Sequence, residues 1–212
     1  EGLVIRLADL GEADRIVTIF TKDIGKVRAV AKGIRRPKSR MSGHLELLYR
    51  VSVSAAYGRS LDVITEADTL HIHGVLSENL ERLSHAVYMC ELLDSFSAER
   101  SHNYQLYRLT TSAFGWLEST DDPWLLVRYF ETQLLDLSGF KPELRSCVEC
   151  RVDLQPGDHV FDVGSGGVLC PECRFLRYDF LLPLKLNSMK VFRLLQKEKD
   201  LSKNNKKQQL LK

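Results

Sequence analysis

The sequence predicts an α+β chain of several domains: a small closed β-barrel, then an α-helical body, then an embedded four-cysteine module. Three observations lead there. Short β-branched segments punctuated by glycine fill the first third of the 212 residues, apolar residues at helical spacing fill the middle, and two Cys-x-x-Cys pairs open the last part. The expected boundaries are 1–75, 76–145, 146–176 and, for a C-terminal helical segment with a basic tail, 177–212.

In the first third, Leu3–Leu7 is a short apolar run, Arg15–Thr21 is rich in β-branched residues, and Lys26–Lys32 follows a turn at Gly25. From Glu46 to Tyr57 the pattern alternates, with Leu47, Tyr49, Val51, Val53, Ala55 and Tyr57 on one face. A turn at Tyr57-Gly58-Arg59-Ser60 leads to a returning strand, Leu61–Asp68. Five short strands of this kind suit an OB-fold, a frequent binder of single-stranded nucleic acid.

In the middle third, Leu80, Leu83, Val87, Cys90 and Leu93 fall at helical spacing, and a second helix is expected from Tyr104 to Leu117. A third starts with Asp122 as N-cap and Pro123 in the first turn, carries Val127, Phe130, Leu134 and Leu137 as its stripe, and stops at Gly139. These helices are expected to pack on one another and turn their acidic faces to water. A last helix is expected over Ser188–Lys199, ahead of a polar, Lys-rich tail from Ser202 that should fray.

The net charge of +2 hides an asymmetry. Residues 1–75 hold twelve Lys/Arg against nine Asp/Glu, residues 76–145 six against eleven, and residues 146–212 twelve against eight. A basic front, an acidic middle and a basic end suggest units with different partners. No run of eighteen apolar residues occurs, so no membrane span is expected.

Cys147-x-x-Cys150 and Cys170-x-x-Cys173 are separated by nineteen residues, within the spacing range of four-cysteine zinc sites. Each pair turns two sulfurs toward one metal, and two such knuckles complete a tetrahedron. One structural Zn²⁺ is the expected cofactor, and a closed four-thiolate shell leaves no catalytic position. Disulfides are disfavoured without a secretory signal, and a redox pair comes singly beside a βαβ pattern. Cys90, on an apolar helical stripe, is expected to be an inert core residue.

Between Ile24 and Leu45 there is no acidic residue. Lys26, Arg28 and Lys32 would share a strand face, and the following loop adds Arg35, Arg36, Lys38 and Arg40, with Pro37 barring helix. Such a surface suits a phosphate backbone, and Tyr49, Tyr57 and Phe20 are candidate stacking partners. Arg15 joins the set if its strand lies adjacent. The bland alternative is a solvated face.

Other motifs are weaker. His71-x-His73 would face one way, like half a metal site, but no carboxylate or third histidine lies at a fixed spacing, so a surface or core role is expected. Gly164-Ser165-Gly166-Gly167 lacks the ending of a phosphate loop and reads as a ribbon turn after Val160–Val163. Asp62, Glu66 and Asp68 share a strand face, where salt-bridging to the basic stretch is favoured over magnesium. No Ser-His-Asp or paired-acid arrangement stands out, so no enzyme is expected.

Gly11-Glu-Ala-Asp-Arg-Ile16, Thr21-Lys-Asp-Ile-Gly-Lys26 and Ala31-Lys-Gly-Ile-Arg-Arg-Pro-Lys-Ser-Arg40 together resemble the start of the bacterial recombination protein RecO family. So do Leu137-Ser-Gly-Phe-Lys-Pro-Glu-Leu144, just before the first cysteine pair, and Gly167-Val-Leu-Cys170-Pro-Glu-Cys173. The resemblance covers nearly the whole chain in the same order, and residues 8–43 are its most specific part. It implies an OB-fold, a helical body and a zinc module. It also implies a DNA repair and recombination mediator that binds single- and double-stranded DNA and anneals complementary strands. The implied partners are RecR and single-stranded DNA-binding protein, with RecA loaded indirectly, in the bacterial cytoplasm at the nucleoid. A zinc-ribbon transcription or RNA-binding factor is the main rival, since it would share the basic barrel and the metal.

Overall fold

The computed structural model describes residues 1–176 and 180–198. The Lys-rich tail and the end of the last expected helix lie outside the described residues. Two compact units are present, residues 1–130 and 131–212.

The first unit opens with β1 (Gly2–Leu10), β2 (Asp14–Thr21), β3 (Gly25–Ala31), β4 (Arg50–Ala56) and β5 (Asp62–His71). They close into an OB-like barrel in the order β1-β2-β3-β5-β4, with β3 and β5 parallel and β4 returning to β1. Alternation drives the closure. Val4, Val17, Ile19, Ala29, Val51 and Ile64 point inward, joined by Ile34 and Leu45 from the β3–β4 connection. A register shift between Val4 and Arg6, with α2 (Leu80–Phe96) packed on β1, lets Leu3, Val4 and Ile5 all be buried. The strand expected from Glu46 begins only at Arg50, because Leu48 takes a left-handed φ of 69°. Gly25 needs its φ of 85°, and a Cβ there would lie 2.0 Å from the Ser101 carbonyl oxygen.

The short α1 (Gly74–Glu78) leads into α2, whose N-cap Asn79 side chain accepts the Arg82 N–H. The buried face of α2 is Ala86, Met89, Cys90 and Leu93; the expected stripe members Leu80 and Val87 are exposed. Leu80 sits in the first turn, ahead of the packed stretch, and Val87 lies at the edge of the buried face, about 100° round the helix from Ala86. Burial, reinforced by nearby Asp94, pushes the Cys90 thiol up to about 12, so it is inert at neutral pH. Asn103 caps α3 (Tyr104–Leu117), and Asp122 caps α4 (Pro123–Leu137) through the Leu125 N–H at 3.0 Å. Gly139, at φ 84°, closes α4 with Gly139 N–H on Asp136 O and Phe140 N–H on Leu135 O, a Schellman stop.

The acidic helices do not turn all their carboxylates to water. Asp94 accepts from Lys26 Nζ at 3.0 Å and from Arg6 at 3.1 Å, and Glu99 pairs with Arg28 at 3.5 Å. Part of the negative charge of the middle segment thus answers the barrel's own positive strand. Burial works to raise the Asp94 carboxyl, but the bonds from Lys26 and Arg6 outweigh it and hold the group below the ordinary carboxylate range. The stabilisation is complete above the unfolded-state pKa of about 3.9 and is lost as pH falls through the lower folded-state value. Asp94→Asn should therefore lower stability at pH 7 by about 1–2 kcal/mol. Denaturant titrations should show the gap to the parent closing as pH drops below about 4.

The second unit holds β6 (His159–Asp162), β7 (Gly167–Leu169), β8 (Leu181–Leu184) and α5 (Leu186–Lys197), with a 3₁₀ turn at Cys173–Leu176. The antiparallel sheet runs β7-β6-β8. The glycine-rich turn joins β6 to β7, held by Asp162 Oδ1 accepting the Gly164 N–H at 3.0 Å. A third strand, β8, was not expected. The core is small: Leu144, Leu154, Val168, Leu169 and Met189 with buried Cys147 and Cys173.

Candidate metal centre and nucleic-acid interface

The two cysteine pairs sit on turns braced by backbone. In the first, Cys147 N–H donates to Val152 O and Arg151 N–H to Cys147 O, with Arg151 at a left-handed φ of 64°. In the second, Cys173 and Arg174 N–H both donate to Cys170 O. Val148 N–H on Val168 O, at 3.0 Å, ties the first turn to β7. Gly167 permits this approach: a Cβ there would stand 2.3 Å from Val148 Cγ1 and 2.8 Å from Glu143 O.

The four sulfurs lie within 4.8 Å of one another, and Cys150 Sγ and Cys170 Sγ are 3.8 Å apart. Four thiolates on a tetrahedron with metal–sulfur bonds of about 2.3 Å have edges of about 3.8 Å, so the cluster fits one zinc-sized ion. Cys170 N–H donates to Cys147 Sγ at 3.4 Å, the kind of contact that stabilises a thiolate. Burial works to raise Cys147, but amide donors from Cys170, Cys150 and Glu149 bring it down to about 6. Burial and the neighbouring sulfurs push Cys173 up to about 12. Four sulfurs this close ionise together only around a cation, which is the charge that a metal supplies.

The structure sorts the expected DNA-facing cations into two sets. Lys26 is only 12% exposed and is engaged by Asp94, both the carboxylate and the backbone carbonyl. Arg28 pairs with Glu99, and Arg15 with Asp9 at 3.1 Å and Glu46 at 3.9 Å. Arg35 pairs with Asp9 at 3.4 Å and donates to Gly11 O, so it helps dock the loop on the β1–β2 turn. The Gly33 N–H on Asp14 Oδ1 and the Arg35 N–H on Ala13 O complete that docking. Lys32, Arg36, Lys38 and Arg40 are exposed and form no ion pair among the described residues.

The stacking candidates divide as well. Phe20 is fully buried, so it is unavailable to a base. Tyr49 packs against the barrel core. Tyr57 is 91% exposed, beside a hollow of about 220 Å³ lined by Glu1, Asp23, Asp62 and Arg100. Asp62 pairs with Arg100 at 2.6 Å rather than with the basic stretch.

One constellation escaped the sequence. Glu118, directly after α3, places Oε1 3.0 Å from His73 Nδ1 and 4.0 Å from His71 Nε2. Burial lowers the His73 pKa, against the opposing pull of the hydrogen bond it donates to Glu118. The His-x-His spacing was a signal, but its carboxylate partner lies 45 residues beyond His73.

Residues 1–73 match the family model described as recombination protein O N terminal, and residues 77–212 match recombination protein O C terminal. The chain is 37% identical over 195 residues to the DNA repair protein RecO of Dehalococcoides mccartyi strain 195, covering 92% of this chain and 76% of that one. It is 40% identical to the RecO proteins of Symbiobacterium thermophilum, over 82% of this chain and 70% of that one, and of Thermobifida fusca, over 82% and 72%. Among the described residues no helix is long and apolar enough to cross a membrane. With a barrel in the first matched segment and the helices and cysteine module in the second, the chain belongs to the recombination protein O (RecO) family of DNA repair proteins.

Proposed function

We propose that this chain is a non-enzymatic recombination mediator that binds single- and double-stranded DNA through its barrel and anneals complementary strands. Four free cations on one loop carry this reading: Lys32, Arg36, Lys38 and Arg40, held out from the barrel by a docked Arg35. Lys26, Arg28 and Arg15 contribute mainly to ion pairs with Asp94, Glu99 and Asp9 and to the background field. Annealing breaks no covalent bond. Two strands repel through their phosphates, and a cationic loop that replaces condensed counterions lowers the repulsion. RecR and single-stranded DNA-binding protein are the proposed partners, with RecA loading as the downstream step at the bacterial nucleoid.

Zn²⁺ is the proposed occupant of Cys147, Cys150, Cys170 and Cys173. When bound it supplies structure, since four thiolates close the shell. The residues around it brace the turns and donate amide hydrogens to sulfur.

The test is annealing of complementary oligonucleotides coated with single-stranded DNA-binding protein, with and without RecR. Acceleration over the spontaneous rate is expected. No acceleration, together with sequence-specific duplex or RNA binding, would favour a transcription or RNA-binding role instead.

A further inference from the structure

We propose that His71, His73 and Glu118 form a second metal site, separate from the four cysteines, for a divalent transition-metal ion such as Zn²⁺ or Co²⁺. His71 is the last residue of β5, His73 precedes α1, and Glu118 follows α3. An ion here would staple the end of the barrel's last strand to the end of a helix more than forty residues away.

The geometry is close to what such an ion needs. The three candidate ligand atoms lie within 4.8 Å of one another. Metal–nitrogen and metal–oxygen bonds of about 2.0–2.1 Å place tetrahedral ligand pairs about 3.3 Å apart. The Glu118–His73 distance of 3.0 Å and the Glu118–His71 distance of 4.0 Å bracket that value. His71, whose side chain is 46% exposed, has room to close the difference. The two imidazoles meet edge to face, centroids 4.5 Å apart at 74°, rather than stacking flat. His73 is only 6% exposed and rests edge-on against Phe114, so one ligand is already fixed.

The surroundings favour a cation on one side and oppose it weakly on the other. The C-terminal end of α3 carries the negative pole of its dipole. Arg82 donates to the Leu117 and Thr120 carbonyls there and offsets part of that pole, while the Glu118 carboxylate faces the imidazoles. Arg50, whose field reaches His73, is paired with Glu1 at 3.5 Å. A plain His73–Glu118 hydrogen bond accounts for that pair but not for the convergence of His71 on the same oxygen.

Two imidazoles and one carboxylate select a late first-row ion over Mg²⁺ or Ca²⁺, which want all-oxygen shells. Three protein ligands leave a fourth position for water on the exposed His71 side.

The test uses the untagged full chain with its cysteine site filled by zinc, dialysed against micromolar Co²⁺. Elemental analysis should give two metals per chain. Co²⁺ should add weak visible bands without the intense sulfur charge-transfer absorption of a thiolate site. His71→Ala, on an exposed side chain, and Glu118→Gln should each return the total to one metal, with the cysteine-bound zinc retained. No bound Co²⁺ in the parent would overturn the proposal, as would unchanged Co²⁺ uptake in either variant. Cobalt is counted separately from the cysteine-bound zinc, so neither result depends on DNA binding.

Discussion

Replacing Lys32, Arg36, Lys38 and Arg40 together with alanine should weaken single-stranded DNA binding by about two orders of magnitude at 0.15 M salt. The size follows from counterion release. Each phosphate neutralised on a single strand contributes about 0.7 to the log–log salt slope, so four cations account for about 2.8. Extrapolated to 0.15 M, that slope is worth a factor of about 200 in affinity. Folding should survive, since all four side chains are exposed and form no ion pair among the described residues. Lys26→Ala makes the instructive contrast. Its charge is already spent on Asp94, so its loss should lower stability more than DNA affinity. Fluorescence anisotropy with a labelled oligonucleotide, alongside thermal melts, separates the two effects.

Removing the metal, or changing Cys147→Ala, should unfold the cysteine module while leaving the barrel intact. The module's apolar core is small, and two of its buried members are themselves cysteines. Structural zinc contributes on the order of 10–16 kcal/mol of apparent binding energy in small modules, more than such a core can replace. Cys147 is the sharpest choice, being fully buried and the acceptor of the Cys170 amide. Limited proteolysis after chelation should cut between about residues 143 and 184. The barrel, whose core of Val4, Val17, Ile19, Val51 and Ile64 owes nothing to those residues, should stay protected. Single-stranded DNA affinity should change by no more than about threefold, because Lys32, Arg36, Lys38 and Arg40 belong to the barrel unit.

The strands and the cysteine site were legible because their signals are local. Alternation marked β4, turn glycines marked the hairpins, and doubled Cys-x-x-Cys spacing marked the candidate metal centre. Asp122, Pro123 and Gly139 bounded α4 within a residue. What stayed hidden depends on pairs distant in sequence. Nothing near Lys26 announces Asp94, 68 residues on, so a strand cation that looked free is internal. Phe20 and Tyr57 read alike as aromatics, yet one fills the interior and the other stands in water. On α2 both Leu80 and Ala86 fit a helical pattern, and only packing against β1 decides which is covered. His71 and His73 lacked a third ligand until α3 delivered Glu118.

The division of labour between a DNA-binding barrel loop and a structural metal module comes down to one measurement. It is the salt dependence of single-stranded DNA affinity, taken on the intact protein, the metal-stripped protein and the Lys32/Arg36/Lys38/Arg40 alanine variant. The expected result is a slope lowered by about 2.8 in the variant and unchanged on metal removal. A slope that held in the variant but collapsed on metal removal, with the barrel still folded, would contradict it and place the DNA contact in the cysteine module.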